Sequence, residues 1–164
     1  MQLHMMYLHR PMSTPGQPRK TLRADARALV EACAGCNLRL AARRVTQFLD
    51  REMAEAGLSV AQFGLMARIA AASDDTLGGL AQRTGLDQST LSRNLRTLEG
   101  QGLVEIAMVE TDLRRRVVWL TETGARRLEA AIPLCRAANA KLARHLSLDL
   151  ARRLAEESEL LTTD

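Results

Sequence analysis

The sequence predicts a mainly α fold with one small β-hairpin, an α+β arrangement. Three observations carry that reading. Apolar residues recur at helical spacing along most of the chain. Aromatic residues make up only 2% of it, while helix formers such as Leu, Ala, Arg and Glu are abundant. β-Branched residues gather convincingly in one stretch alone, between positions 103 and 120. At 164 residues and 46% hydrophobic content, the chain can hold one compact domain with an oligomerisation arm.

Residues 1–21 are expected to form a disordered tail. Three prolines stand between Arg10 and Arg19, and no apolar stretch of a secretory signal is present. Residues 22–58 are expected to be a helical dimerisation segment. From Asn37 to Ala56, Leu38, Ala41, Ala42, Val45, Phe48 and Leu49 follow the spacing of an amphipathic helix, and Gly57 ends it. Ser59 with Gln62 three residues on is a capping box, opening a helix whose inner face is Val60, Phe63, Met66, Ile69 and Ala70. A short helix is expected from Thr76 to Gly85, then one capped by Asp87 and ended by Gly100 and Gly102.

Leu103–Val109 and Arg115–Leu120 read as the two strands of a hairpin whose turn is Glu110–Arg114. From Thr121 the pattern is helical again through Leu128, Ile132, Leu142 and Leu146, with Pro133 expected to kink or restart the helix. Ser147 is an N-cap candidate, and Leu150, Leu154, Leu160 and Leu161 line a final helix. Residues 59–121 therefore form a central unit, and 122–164 a C-terminal helical segment suited to dimerisation. Amphipathic helices that cannot bury their stripe within one protomer do so across two.

The central unit has the pattern of a helix-turn-helix. Ala81 is the small residue where the two helices cross, Gly85 supplies the turn, and Leu91 anchors the second helix. Leu77, Leu80, Leu86, Leu95 and Leu98 fill the remaining inward positions. The outward face is then Gln88, Ser89, Thr90, Arg93, Asn94 and Thr97, with Arg96 alongside. These side chains suit base edges and phosphates: Gln or Asn pairs with adenine, Arg with guanine, Thr with a thymine methyl. The alternative is an ordinary helical hairpin with a glycine turn. The hairpin that follows decides between them, because it carries Asp112, Arg114, Arg115 and Arg116, a dense basic cluster fit for a minor groove. A hairpin in that position is the wing of a winged helix-turn-helix.

The formal charge of +4 and pI of about 9.5 lean mildly toward a polyanionic partner. All but two of the 23 basic residues are arginine, a bias that a GC-rich genome also produces. No apolar run is long enough to span a membrane, so no membrane partner is expected. Three cysteines do not make a secreted disulfide framework, and the expected compartment is the cytoplasm.

From Asn37 to Leu146 the chain resembles the MarR family of bacterial transcription regulators. The resemblance rests on Leu77-Gly-Gly-Leu-Ala81, on Gly85-Leu-Asp-Gln-Ser-Thr-Leu-Ser-Arg-Asn-Leu-Arg96 and on Leu98-Glu-Gly-Gln-Gly-Leu-Val104. It continues through Asp112-Leu-Arg114, Val118-Trp-Leu-Thr121 and Gly124. It implies a homodimer with intertwined terminal helices, reading a pseudo-palindrome in double-stranded DNA through two recognition helices. It further implies that Arg114 enters the minor groove, held by Asp112, and that residues 88–94 read bases. Family members are commonly repressors released by a small-molecule effector or by thiol oxidation. No residue of this chain identifies a particular effector.

Cys33 and Cys36, three apart near the start of the long helix, admit several readings. A zinc site would need four ligands, which Cys135 and the three histidines do not complete. A thioredoxin-like dithiol would need a strand-turn-helix context. A redox switch would exploit a thiolate stabilised at a helix N-terminus, and a pair of small buried apolar residues is the plainer alternative. Peroxide-sensing members of the family carry a reactive cysteine near this point. Cys36 is about one residue out of that register, however, and Tyr7 is the only tyrosine. Trp119 is expected to pack under the wing, and His145 to lie exposed near a helix end.

Two other functions compete with DNA binding. One is a thiol-redox enzyme using Cys33 and Cys36, and the other a winged-helix module that binds protein. Against an enzyme, the chain has no Ser-His-Asp pattern, no phosphate-binding glycine loop and no metal cluster, and no cofactor is expected. Against a protein-binding module, whose face should be apolar or acidic, the outward recognition face is polar with two arginines, although Asp87 and Glu99 balance them in net charge.

Overall fold

The computed structural model describes residues 20–72, 76–109 and 112–162. The expected tail over 1–21 lies almost wholly outside them. Among the described residues the elements run α1 (Lys20–Ala32), α2 (Ala34–Glu52), α3 (Val60–Ala71), α4 (Leu77–Thr84), α5 (Gln88–Gly100), β1 (Val104–Val109), β2 (Asp112–Leu120), α6 (Glu122–Leu142) and α7 (Leu148–Ser158). No helix among them is long and apolar enough to cross a membrane. The chain divides into two compact units, Met1–Ala42 and Arg43–Asp164, with the division inside α2.

In the first unit, α1 and α2 are separated by Cys33 alone. The Asn37 amide donates to the Cys33 carbonyl at 3.1 Å, so helical bonding restarts at that residue. Leu22, Leu29, Val30, Leu38 and Leu40 are exposed on this unit.

The second unit holds two apolar clusters. The larger centres on Met66, Leu80, Leu91, Leu95, Leu98, Val104 and Val118, and so joins α3, α4, α5 and the hairpin. The smaller gathers Leu49, Met53, Ala138 and Leu142, packing the end of α2 against α6. Phe63 of α3 touches both.

Most helix boundaries follow from caps in the sequence. Ser59 and Gln62 form the reciprocal capping box on α3. Thr76, Asp87, Thr121 and Ser147 each accept an amide hydrogen at the start of α4, α5, α6 and α7. Gly57 and Gly85 end their elements at φ of 64° and 62°, in the left-handed region where glycine carries no Cβ penalty. The long N-terminal helix ends at Glu52, before the expected Ala56, and Ala54–Ala56 tighten into a 3₁₀ turn. Pro133 does not restart α6, which runs as one helix from Glu122 to Leu142. Leu160 and Leu161 fall beyond α7, in a terminal 3₁₀ turn.

The hairpin differs most from expectation. β2 begins at Asp112, not at Arg115. The pairs run regularly from Val104 with Leu120 to Met108 with Arg116, and the next pair is Val109 with Asp112. β1 therefore advances one residue while β2 advances four, and residues 113–115 form an irregular excursion of the ladder. Alternation of apolar residues reports the regular part of a strand and is blind to such a step. An isolated bridge from Thr76 to Val117 adds a third partner beside the hairpin.

Candidate nucleic-acid interface

The helix-turn-helix is built from its inner face outward. Leu80 of α4 and Leu91, Leu95 and Leu98 of α5 are buried almost completely. At 3.6 residues per turn this turns the opposite side of α5 to solvent. Gln88, Ser89, Arg93, Arg96 and Thr97 are exposed there, while Thr90 and Asn94 are partly covered. All the recognition-face residues expected from the sequence therefore stand clear of the core.

Their hydrogen bonds restrict what each can offer. Asp87 accepts from the Ser89 hydroxyl at 2.6 Å, the Thr90 amide at 2.8 Å and the Thr90 hydroxyl at 2.8 Å. Those donors, the Ser89 hydroxyl foremost, hold the Asp87 carboxyl well below the usual carboxylate range. Both hydroxyl protons are thus committed inward. Ser89 and Thr90 present lone pairs outward, which suit a base amino group better than a phosphate.

Arg93 donates from Nε to the Ser89 carbonyl at 3.4 Å and from Nη2 to the Ser89 hydroxyl at 3.3 Å. This lays its stem along the helix and leaves Nη1 and one Nη2 hydrogen for another partner. The Thr97 hydroxyl turns back to the Arg93 carbonyl at 3.1 Å. Asn94 and Thr97 line a cleft with Ser59, Ala61 and Gln62 at the start of α3.

Arg96 faces the hairpin. It lines a cavity of about 280 Å³ together with Arg116, and Glu99 stands on the same wall. Helix and wing thus bring one arginine each to a common cleft. Asp112, Arg114 and Arg115 belong to β2. Sequence reasoning put Asp112 and Arg114 in the turn, whereas both belong to the strand.

Three supports of this arrangement were not anticipated. Asp50, from the end of α2, accepts from the Val60 amide at 2.7 Å and adds a second cap to α3. The two residues are ten apart with no repeating pattern between them, so no sequence signal reveals the contact. At the wing's base, the Thr121 hydroxyl donates to the Gly102 carbonyl at 2.7 Å and accepts from the Gly124 amide at 2.9 Å. Gly124 closes the same junction: a Cβ there would lie 1.9 Å from the Leu103 carbonyl oxygen.

Trp119 does not pack beneath the wing. It is 38% exposed, pairs across the strands with Glu105 and donates from its indole nitrogen to the Glu105 carboxylate at 3.1 Å. His145 is exposed, as expected. Cys33 is half-buried and Cys36 exposed, so neither is a core residue of the protomer. Among the described residues no cluster of three or more His, Cys, Asp or Glu side chains could hold a metal ion.

A tri-helical core with this helix-turn-helix and hairpin defines a winged helix-turn-helix. The model of the MarR family matches residues 56–115, the stretch from the turn before α3 to β2. The transcriptional regulator MosR of M. tuberculosis, solved in complex with DNA, superposes with a TM-score of 0.71 at 31% identity. That superposition covers 79% of this chain and 96% of MosR. The repressor NicR of Pseudomonas putida is 29% identical over 99 residues, which are 60% of this chain and 63% of NicR. A 73-residue stretch, 44% of this chain, is 37% identical to part of the phenylalanine–tRNA ligase alpha subunit of Pyrococcus horikoshii, 14% of that subunit. The chain thus spans less than two thirds of both these curated relatives. It belongs to the MarR family.

Proposed function

We propose that this chain is a sequence-specific DNA-binding transcription regulator that acts as a homodimer on a pseudo-palindromic operator. The observation that carries the proposal is the side of α5 opposite the buried Leu91, Leu95 and Leu98. It is polar and exposed, carries Arg93 and Arg96, and stands beside a wing that brings Arg116 to the same cleft as Arg96. In this reading α5 enters the major groove, where Gln88, Ser89, Thr90, Arg93 and Asn94 meet base edges. Arg96 and Arg116 neutralise phosphates, and Asp112, Arg114 and Arg115 serve the wing in the adjacent minor groove.

The MosR structure with DNA and the description of NicR as a transcriptional repressor support the reading, and repression is the proposed outcome. Leu148, Leu150, Leu154, Leu160 and Leu161 are exposed at the C-terminal end, as are the leucines of the first unit. Burial of such stripes in a second copy is the basis for the homodimer. Release from DNA by a small-molecule effector or by oxidation belongs to the same proposal.

Fluorescence anisotropy with duplex DNA from immediately upstream of the chain's own gene tests it, with scrambled duplex as reference and reductant present. The expected result is tight, sequence-dependent binding of one dimer per duplex. Affinity no better than for scrambled DNA, followed by no enrichment in a random-duplex selection, would remove the DNA-binding reading.

A further inference from the structure

Asp87 makes more bonds than an N-cap requires. A cap needs one oxygen for an amide hydrogen, and the Thr90 amide meets that need at 2.8 Å. The remaining bonds go to side chains. The Ser89 hydroxyl donates to the same carboxylate oxygen at 2.6 Å, and the Thr90 hydroxyl donates to the other oxygen at 2.8 Å. An ionised carboxylate only accepts, so in both bonds the hydroxyl supplies the hydrogen.

A hydroxyl has a single hydrogen and two lone pairs. With its hydrogen held by Asp87, Ser89 keeps acceptor sites alone, and one of them takes Nη2 of Arg93 at 3.3 Å. Thr90 is likewise left with acceptor sites. Ser89 and Arg93 are exposed and Thr90 is partly covered, all near the start of α5. One carboxylate thereby fixes the hydrogen-bond polarity of two neighbours and, through Ser89, the lie of Arg93. In the major groove adenine and cytosine offer an amino group, whereas guanine and thymine offer a keto oxygen. A side chain that can only accept pairs with the amino bases and sets its lone pairs against those of the keto bases.

We propose that Asp87 is a positioning residue for base choice: by holding the hydroxyl hydrogens of Ser89 and Thr90, it makes these side chains select adenine or cytosine on the strand they face. The inference rests on the regulator reading above and deepens it. The two carboxylate oxygens have different tasks, and Asp87→Asn separates them. The Thr90 amide can only donate, so the Asn oxygen stays with it and keeps the Ser89 hydroxyl as well. The Asn nitrogen then faces the Thr90 hydroxyl, which must accept from it and release its own hydrogen toward DNA. Asp87→Ser is also a good cap, but it has no second oxygen for Thr90.

The test is selection from random duplexes with the full chain and each variant. Ser89→Ala and Thr90→Ala each mark a base pair, the position whose preference is erased. At both positions the unsubstituted chain should favour adenine or cytosine over guanine or thymine by about 5-fold on the contacted strand. Asp87→Asn should reverse that choice at the Thr90 position and leave the Ser89 position as it was. Asp87→Ser should erase the choice at the Thr90 position without reversing it. Loss of a negative charge near phosphates, or a weaker helix, would change affinity for operator and scrambled duplex alike and leave base choice intact. Three results would overturn the proposal: guanine or thymine at the marked positions for the unsubstituted chain, its base choice retained in Asp87→Asn, or no preference erased by either alanine variant. An unsubstituted chain that enriches no sequence removes the regulator reading and this inference with it. A selected site indifferent to Asp87 removes this inference alone.

Discussion

Gly124 occupies a position that no side chain fits, because a Cβ would overlap the Leu103 carbonyl oxygen. Backbone atoms at the start of the hairpin cannot step aside as a flexible side chain would. Gly124→Ala should therefore destabilise the fold by about 1–3 kcal/mol, seen as a lower midpoint in urea with an unchanged slope. Asp87 makes a different prediction, one of pH. Its folded pKa is depressed, so its contribution is complete above the ordinary carboxylate value of about 3.9. That contribution fades as pH falls below that value toward the folded one. Asp87→Asn retains a capping side chain but does not titrate. The variant should lose less stability than the parent between about pH 5 and about pH 3, measured by denaturant titration. Equal losses would show that Asp87 does not contribute to acid sensitivity.

Helix and wing should fail differently when each loses an arginine. Arg93 has its stem aligned by Ser89 and one edge of its guanidinium free, which fits bidentate contact with guanine. Arg93→Ala should cost about 1–3 kcal/mol of operator affinity and relax base preference. Arg116 shares the cleft with Arg96 and is read as a phosphate contact. Arg116→Ala should weaken operator and scrambled DNA alike, and lower the slope of log affinity against log salt by about 0.9. A slope unchanged in Arg116→Ala would remove that arginine from the phosphate contacts.

The same elements show where local sequence is informative. Caps and turn glycines act over three or four residues, so Ser59, Thr76, Gly85, Asp87 and Ser147 marked their boundaries directly. The outward face of α5 was legible because Leu91, Leu95 and Leu98 fix its rotation. The early start of β2 was not, since Arg114 and Arg115 carry no alternation and the step in register depends on backbone pairing. Asp50 over Val60 and Thr76 beside Val117 depend on tertiary placement, which no short pattern encodes. The sequence reading expects Trp119 to pack under the wing. Its place on β2, opposite Glu105, turns it to solvent instead.

For the molecule as a whole, the unburied leucines set the next expectation. Leu150 and Leu154 are 40% and 41% exposed in the protomer, so charging them should cost the isolated fold little. Paired Leu150→Asp and Leu154→Asp should move the sedimentation profile from dimer toward monomer and weaken operator binding, with helical circular dichroism preserved. A dimer that survives both substitutions would show that this stripe is not the interface.

Trp119 is the only tryptophan in the chain, and it stands on the wing with its indole bonded to Glu105. Selectively excited emission therefore arises from a single address. Its wavelength and yield report the polarity and collisional access at the hairpin, and the terminal helices are spectroscopically silent. DNA laid against the wing would change that emission without any label, and so would a rearranged hairpin.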